Sequence, residues 1–493
     1  MQVEIEGGKS MGTNVSKKGG ITKRTIHVIV MFILMFGIGM LPAPGAITAD
    51  GMKILGAFAG MIYGWIFIEV GAPSLMGLTA LVLTGTITMN ELVAGVYGSQ
   101  IGIMFLMIFL FTAFIEEKNL GEVAAYWILS RKVLKGKPWL MFLFFMIACY
   151  AVGILTVGLV AVVIMFSILR AIAEIADFKP YSKEILAFVL GIGFTAVLGE
   201  MSLPTKGTGL VYVGIYTAQT GMPFDMIGYI LVSIPMSLFV MLCFMFLCKF
   251  IFRVDFSGLA NAQEQLASKA VAATKDQKVA LICIAAYMGV LLVPSLPQTN
   301  VIVTTISQFG VGGIALVLFG ILMLIHVDHE PIINVGKIAK HFAWPFYFLT
   351  TSVVFMANFL TREETGVKQF LTDTMYPIVS NLGELGLVVV LFFMIAVLTN
   401  FINNVVAGSL GVAMGIALAG MLPGLNLQML TIMIAMAGMM AVATPAASPN
   451  AAYSYAQKDL VTARDMLVYG WISVFFLSLC TSVVGYFYAS FIL

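Results

Sequence analysis

The chain has 493 residues, of which 60% are hydrophobic and 10% charged, with a mean hydropathy of +1.03. A soluble domain carries about 25% charged residues, so these figures exclude a soluble globular protein and identify a polytopic membrane protein. The 26 basic and 24 acidic residues leave a net charge of +2, which gives no reason to expect nucleic acid as a partner.

Residues 1–26 read as a polar cytoplasmic tail, with Lys17, Lys18, Lys23 and Arg24 just ahead of the first apolar run. A signal peptide needs a short apolar core and a small-residue cleavage site. This run leads instead into further membrane segments, so it reads as an uncleaved first helix. Crossing the hydrocarbon takes roughly 20 mostly apolar residues. Such runs lie at 27–44, 52–69, 71–88, 100–116, 139–176, 184–222 and 226–252, so that 27–252 holds a first helix and a first repeat. Residues 253–278 form a charged linker rich in alanine and glutamine, expected in the cytoplasm. Apolar runs resume at 279–296, 303–325, 343–360, 384–421, 427–457 and 465–491, making 279–493 a second repeat. The five cysteines all sit inside apolar runs and read as packing residues.

Two runs in each half are interrupted. Runs 139–176 and 384–421 are long enough for two short helices each. The first breaks at Thr156 and Gly158, the second at Thr399, Asn400, Asn403 and Asn404, and both read as re-entrant hairpins. The runs that follow, 184–222 and 427–457, are broken by Pro204-Thr205-Lys206-Gly207-Thr208-Gly209 and by Thr444-Pro445-Ala446-Ala447-Ser448-Pro449-Asn450. Irregular backbone at membrane depth survives only where protein buries it or a watery cavity bathes it. The halves also echo each other: Pro204 and Tyr212 are spaced like Pro445 and Tyr453, Ala218-Gln219 matches Ala456-Gln457, and Asp225-Met226 matches Asp465-Met466, at offsets of 238 to 241 residues. Interrupted segments at corresponding positions of two halves point to a transporter's binding site.

Basic segments stay in the cytoplasm. The N-terminus, Arg131–Lys137 and the linker all do so if 139–176 returns to its own side, which makes the repeats inverted. The expected fold is therefore all-α, with about eleven transmembrane helices plus two re-entrant hairpins, N-terminus inside and C-terminus outside.

Gly64-Trp65-Ile66-Phe67-Ile68-Glu69-Val70-Gly71-Ala72-Pro73, followed by Thr79-Ala80-Leu81, resembles the early Trp-x-x-x-Glu-x-x-x-Pro region of the divalent anion/sodium symporter family, within the wider ion transporter superfamily. Thr399 to Val405 is similar to that family's second hairpin tip, where a Ser-Asn-Thr triplet is usual, and Ser448-Pro449-Asn450 to the tail of its Thr-Pro-Pro-Asn segment. Residues from about 52 to 490 follow the family layout, with an amphipathic segment near 119–138. The first half departs from it. Thr156-Val157-Gly158 lacks the tip asparagine, and Leu203-Pro204-Thr205-Lys206-Gly207-Thr208-Gly209 replaces a glycine-rich Ser-Pro-Pro-Asn segment.

The resemblance implies scaffold and transport domains, a homodimer in the cell inner membrane, and an anionic substrate held between the hairpin tips with sodium at the unwound loops. Carried over position by position, it assigns substrate binding to Asn403, Asn404, Thr156, Lys206, Thr208, Ser448, Pro449 and Asn450, and cation binding to Asn404, Asn400, Thr444, Ala447, Asn450 and Gly158. The asparagines also suit plain helix-helix hydrogen bonding.

Lys206 stands out, because an ammonium at membrane depth costs about 2.5–3.5 kcal/mol on insertion scales. It binds a substrate carboxylate, replaces a sodium ion, or only pins the loop as a charge pair with Glu200. The expected function is secondary active transport of small organic anions, dicarboxylates foremost, by an elevator-like movement coupled to sodium symport or anion exchange. The alternative is a sodium/proton antiporter using Glu200. No nucleophile with an adjacent base and no phosphate-cradling loop is present, so neither an enzyme nor an ATP-driven pump is expected, and sodium is the only ion implied.

Overall fold

The computed structural model describes residues 23–269, 272–296, 300–360, 362–367, 369–370, 373–374, 382–419 and 424–493; most of the expected polar tail, 1–22, lies outside them. In hydrocarbon each peptide group must be bonded within its own segment, and helix follows helix accordingly. The first six are α1 (Lys23–Gly37), α2 (Ala49–Phe67), α3 (Gly71–Leu83), α4 (Met89–Val96), α5 (Gln100–Glu117) and α6 (Leu120–Leu129). Thr48, Thr88 and Ser99 start α2, α4 and α5 by accepting a first-turn N–H. Next come α7 (Pro138–Leu155), α8 (Gly158–Ile175), α9 (Lys183–Met201), α10 (Gly207–Thr220) and α11 (Met226–Phe246), then the linker helix α12 (Ala262–Lys269). The second half holds α13 (Lys275–Leu291), α14 (Val301–Gln308), α15 (Gly310–Leu324), α16 (Val335–Ile338), α17 (Trp344–Leu360), α18 (Glu384–Leu398), α19 (Asn404–Ala419), α20 (Leu427–Gly438), α21 (Pro449–Ala456) and α22 (Ala463–Ile492). Two-residue strands β1 (His326–Val327) and β2 (Glu330–Pro331) pair antiparallel and form the only sheet among the described residues.

The protein is thus an all-α, multi-pass membrane protein. Among the described residues six helices are long and apolar enough to cross a bilayer by length and composition, and both α7 and α8 are among them. Helix length alone therefore does not separate a re-entrant arm from a span. Run 303–325 departs from the single helix expected of it. It breaks at Gly310, whose φ of +65° suits glycine, and the Gln100 side chain accepts from the Gly312 and Gly313 N–H groups beyond the break at 3.1 and 3.2 Å.

Residues 139–176 fold back as α7 and α8, and 384–421 contain α18 and α19. Each pair precedes a helix interrupted by irregular backbone: α9 and α10 flank residues 202–206, while α20 and α21 flank 439–448. The halves interlock crosswise. α10, from the first half, packs on α19 of the second hairpin, and α21, from the second half, packs on α8 of the first hairpin. The basic segment after α6 meets the linker through a Lys135–Glu264 ion pair and the Gly136 N–H on the Ala260 carbonyl, which puts both on one face of the molecule.

Small residues let these backbones approach, as is common where helices pack in a membrane. A Cβ on Gly199 of α9 would stand 2.4 Å from the Tyr150 carbonyl oxygen of α7, and one on Gly153 would stand 2.7 Å from that of Ala196. On α13, by contrast, a Cβ on Gly289 would meet nothing within 4 Å. Gly199→Ala should lower the melting temperature in detergent by an overpacking cost of about 1–3 kcal/mol. Gly289→Ala should leave it unchanged or raise it slightly, by up to about 1 kcal/mol of helix propensity. Equal melting temperatures for the two variants would contradict this packing.

Candidate functional site

The two hairpin tips and the two helix breaks meet in one cavity. Its wall is formed by Val157, Gly158 and Leu159 of the first tip, Glu200, Lys206, Gly207, Thr208 and Val211 of the first broken helix, Asn404 and Val405 of the second hairpin, and Ser448, Pro449 and Asn450 of the second broken helix. Ile108, Phe109 and Thr112 of α5 and Phe346 and Thr350 of α17 close it from the other side. Four helices, α8, α10, α19 and α21, therefore begin at this cavity. Helix N-termini carry unbonded N–H groups and partial positive charge, the surroundings an anion prefers. At α8 and α10 no side chain caps the first turn, whereas Ser448 caps α21 through the Ala451 N–H at 3.1 Å.

Each break is held open by side chains that take up its freed peptide groups. Around 202–206, the Tyr229 hydroxyl donates to the Met201 carbonyl at 2.8 Å, Ser233 to that of Ser202 at 2.8 Å, and Tyr150 to the Ser202 hydroxyl at 2.6 Å. Around 439–448, Asn400 does most of this. Its amide donates to the Ala396 and Met440 carbonyls at 2.7 Å each, and its oxygen accepts the Ala443 N–H at 2.7 Å. Thr399 donates to the Gly438 carbonyl at 2.9 Å, Thr444 to the Asn400 carbonyl, and Tyr455 to the Ala443 carbonyl at 2.6 Å. Tyr212 of α10 reaches across to the Asn404 carbonyl at 3.3 Å and ties the two halves together.

The candidate residues divide clearly. Lys206, Thr208, Asn404, Ser448, Pro449, Asn450, Gly158 and Glu200 line the cavity. Asn404 and Asn450 are each 4% exposed, and neither side-chain amide has a hydrogen-bond partner among the described residues. Both are thus free to bind a ligand. Asn403, Thr156, Asn400, Thr444 and Ala447 do not line it. Asn403 accepts the Val405 N–H at 2.9 Å, and Thr156 donates to the Val152 carbonyl at 2.8 Å. Ala447 gives its carbonyl to the Asn404 N–H at 3.0 Å.

Glu200 and Lys206 form no direct ion pair with each other among the described residues; each holds a different end of the first tip. Glu200 accepts the Gly158 N–H at 3.2 Å, at the start of α8, and Lys206 donates to the Ile154 carbonyl at 2.6 Å and to that of Thr156, at the end of α7. The Glu116 carboxyl, at the end of α5, also faces the Val157 amide of this tip. Thr112, Thr350 and Glu116 carry no sequence signal, since each lies in or at the end of an apolar helix with neither break nor repeat partner.

At the second tip the residues expected to hold a coupling ion, Asn400, Thr444, Ala447 and Asn450, are all neutral and no cationic side chain lies among them, but the Asn400 oxygen already accepts the Ala443 N–H and the Ala447 carbonyl that of Asn404. The first tip does not fit sodium, because Lys206 already holds the carbonyls of Ile154 and Thr156 and Gly158 presents its N–H.

A family model described as a citrate transporter matches residues 61–443. No curated protein gives a significant match. Among solved structures the chain is similar to the YdaH transporter of Alcanivorax borkumensis, a crystal structure described as revealing an unusual topology. The two share 13% identity and a TM-score of 0.52 over 83% of this chain and 89% of that one. At that identity the likeness concerns the fold alone.

Gly158 is the tightest point of the site: a Cβ there would lie 2.5 Å from both Asn450 Nδ2 and Glu200 Oε2. Gly158→Ala should displace both side chains and lower ligand affinity about tenfold or more, while the melting temperature of the ligand-free protein changes little. Wild-type affinity in that variant would show that neither side chain is placed for binding.

Proposed function

The chain belongs to the citrate transporter family, and on that premise we propose that it is a secondary active transporter of citrate and related di- and tricarboxylates, binding them in the cavity between its two hairpin tips. The observation that carries this reading is the convergence of four helix N-termini with two buried, unpartnered asparagine amides on one cavity. A carboxylate is planar, acceptor-only and anionic, so amide donors and helix N-termini match it without a dedicated cationic side chain. The uncapped first turn of α10 supplies the field, since at α8 the Glu200 carboxylate already accepts the Gly158 N–H. Asn404, Asn450 and the hydroxyls of Thr208, Thr112 and Thr350 supply direction.

Thr112 and Thr350 sit on α5 and α17, the wall opposite the hairpins. A substrate held between the two walls would leave with the hairpins and broken helices as they move against that wall, which is the elevator-like alternation we favour. Sodium enters at the second tip in this scheme, and exchange against a second carboxylate is the competing form of coupling. We place the protein in the cell inner membrane with its N-terminus in the cytoplasm because basic segments stay inside; the Lys135–Glu264 contact supports only that two of those segments share one face. A homodimer through the scaffold domain is what the family resemblance implies. The antiporter alternative would use Glu200 as the carrier of exchanged ions; that carboxylate already holds the Gly158 N–H.

Thermal unfolding of the purified protein against citrate, other tricarboxylates, dicarboxylates and sulfate, each with and without sodium, tests the reading. A true ligand at a hundred times its Kd stabilises the fold by about 2.7 kcal/mol. Citrate-type anions should stabilise the wild type. Asn404→Ala and Asn450→Ala should each weaken that effect about tenfold, the cost of losing one charge-assisted hydrogen bond. Stabilisation by sodium and pH alone, with no response to any carboxylate, would favour the antiporter.

A further inference from the structure

The end of a helix inside a membrane leaves carbonyl oxygens that need a positive or hydrogen-bearing partner. The two hairpins meet this need differently. At the end of α18 the Ala396 carbonyl takes the neutral amide of Asn400, which also serves Met440. At the end of α7 the Ile154 and Thr156 carbonyls take Nζ of Lys206. Lys206 is only 2% exposed. Oxygens surround it: two peptide carbonyls in contact, with the carboxylates of Glu200 and Glu116 beyond them as its electrostatic partners. Carbonyls at a helix end backed by carboxylates are the surroundings of a bound cation.

We propose that the Lys206 side chain is a tethered cation that fills the cation position of the first tip, so that an exchangeable cation enters only at the second tip. The backbone is shaped for it. Lys206 is the N-cap residue of α10, in extended conformation, and Gly207 follows with φ +54°, where a Cβ would lie 2.5 Å from the Glu200 carbonyl oxygen. The kink turns the lysine stem back toward α7 and leaves the first turn of α10 open to the cavity. The charge thus holds the hairpin tip in place without competing for substrate, and its field still reaches the anion. Only the second-tip half of this inference rests on the transport reading; the occupancy of the first tip stands on its own geometry.

Removing the tether should turn a built-in cation into a required one. Full-length wild type, Lys206→Ala and Lys206→Gln, each purified in sodium, are compared by thermal unfolding without substrate, in sodium chloride and in N-methylglucamine chloride. Both variants should show a larger sodium-induced rise in melting temperature than the wild type, and ethylammonium should partly replace sodium in Lys206→Ala. In proteoliposomes at a fixed sub-saturating sodium concentration, citrate uptake by the variants should lie about tenfold or more below that of the wild type and recover as sodium is raised. Variants with the wild-type sodium dependence of stability would overturn the proposal, as would variants that fail to fold even in sodium. Absence of citrate uptake in the wild type would overturn the substrate reading while leaving the stability comparison intact.

Discussion

Peptide groups freed inside a membrane cannot turn to water, and in this chain two helix breaks and two hairpin tips free many of them at one depth. The rest of the site follows from how they are satisfied. In the second half the partners are neutral, with Asn400, Thr399 and Thr444 stitching tip to break. In the first half Lys206 and Glu200 take opposite ends of the tip, one at the carbonyls of α7 and the other at the N–H of α8. Each charge is placed where a helix end of the opposite sign needs it. That pairing keeps two charges tolerable among apolar helices, and it leaves the cavity itself lined by N–H groups, amides and hydroxyls.

The crosswise packing explains why the cavity lies where it does. Because α10 rests on the second hairpin and α21 on the first, each half-helix links its own break to the hairpin of the other repeat. Tyr212 to the Asn404 carbonyl and Asn450 beside Gly158 are the contacts that close this exchange. The two hairpins and the two broken helices are thus packed into one contiguous unit. Glycines at Gly153, Gly158 and Gly199 set the spacing, and no larger residue fits there without moving its neighbours.

Much of this was legible in the sequence because membranes make polar residues conspicuous. Prolines, asparagines and a lysine inside apolar runs mark the second tip and both breaks, the first tip shows only Thr156 and Gly158, and α10 and α21 begin close to the repeat offset read from Pro204 and Pro445. The remaining features lack that contrast. The second break opens at Met439, ahead of Thr444, because its first residues are apolar and only the Asn400 contacts show that the helix has ended. Thr112 and Thr350 face the cavity from unbroken helices, and only three-dimensional packing singles them out. The bend at Gly310 was hidden in a run that kept its apolar character throughout. Asn400, a cation ligand on the family pattern, spends its whole amide on helix ends.

The central claim is that one cavity, built from both repeats, holds a carboxylate substrate at converging helix N-termini. A cryo-EM structure of the protein in saturating citrate tests this most directly. The account predicts ligand density between Asn404 and Asn450 with a carboxylate at the start of α10, and Lys206 still bound to the Ile154 and Thr156 carbonyls. Citrate bound elsewhere, or bound with Lys206 swung off those carbonyls onto the ligand, would contradict it.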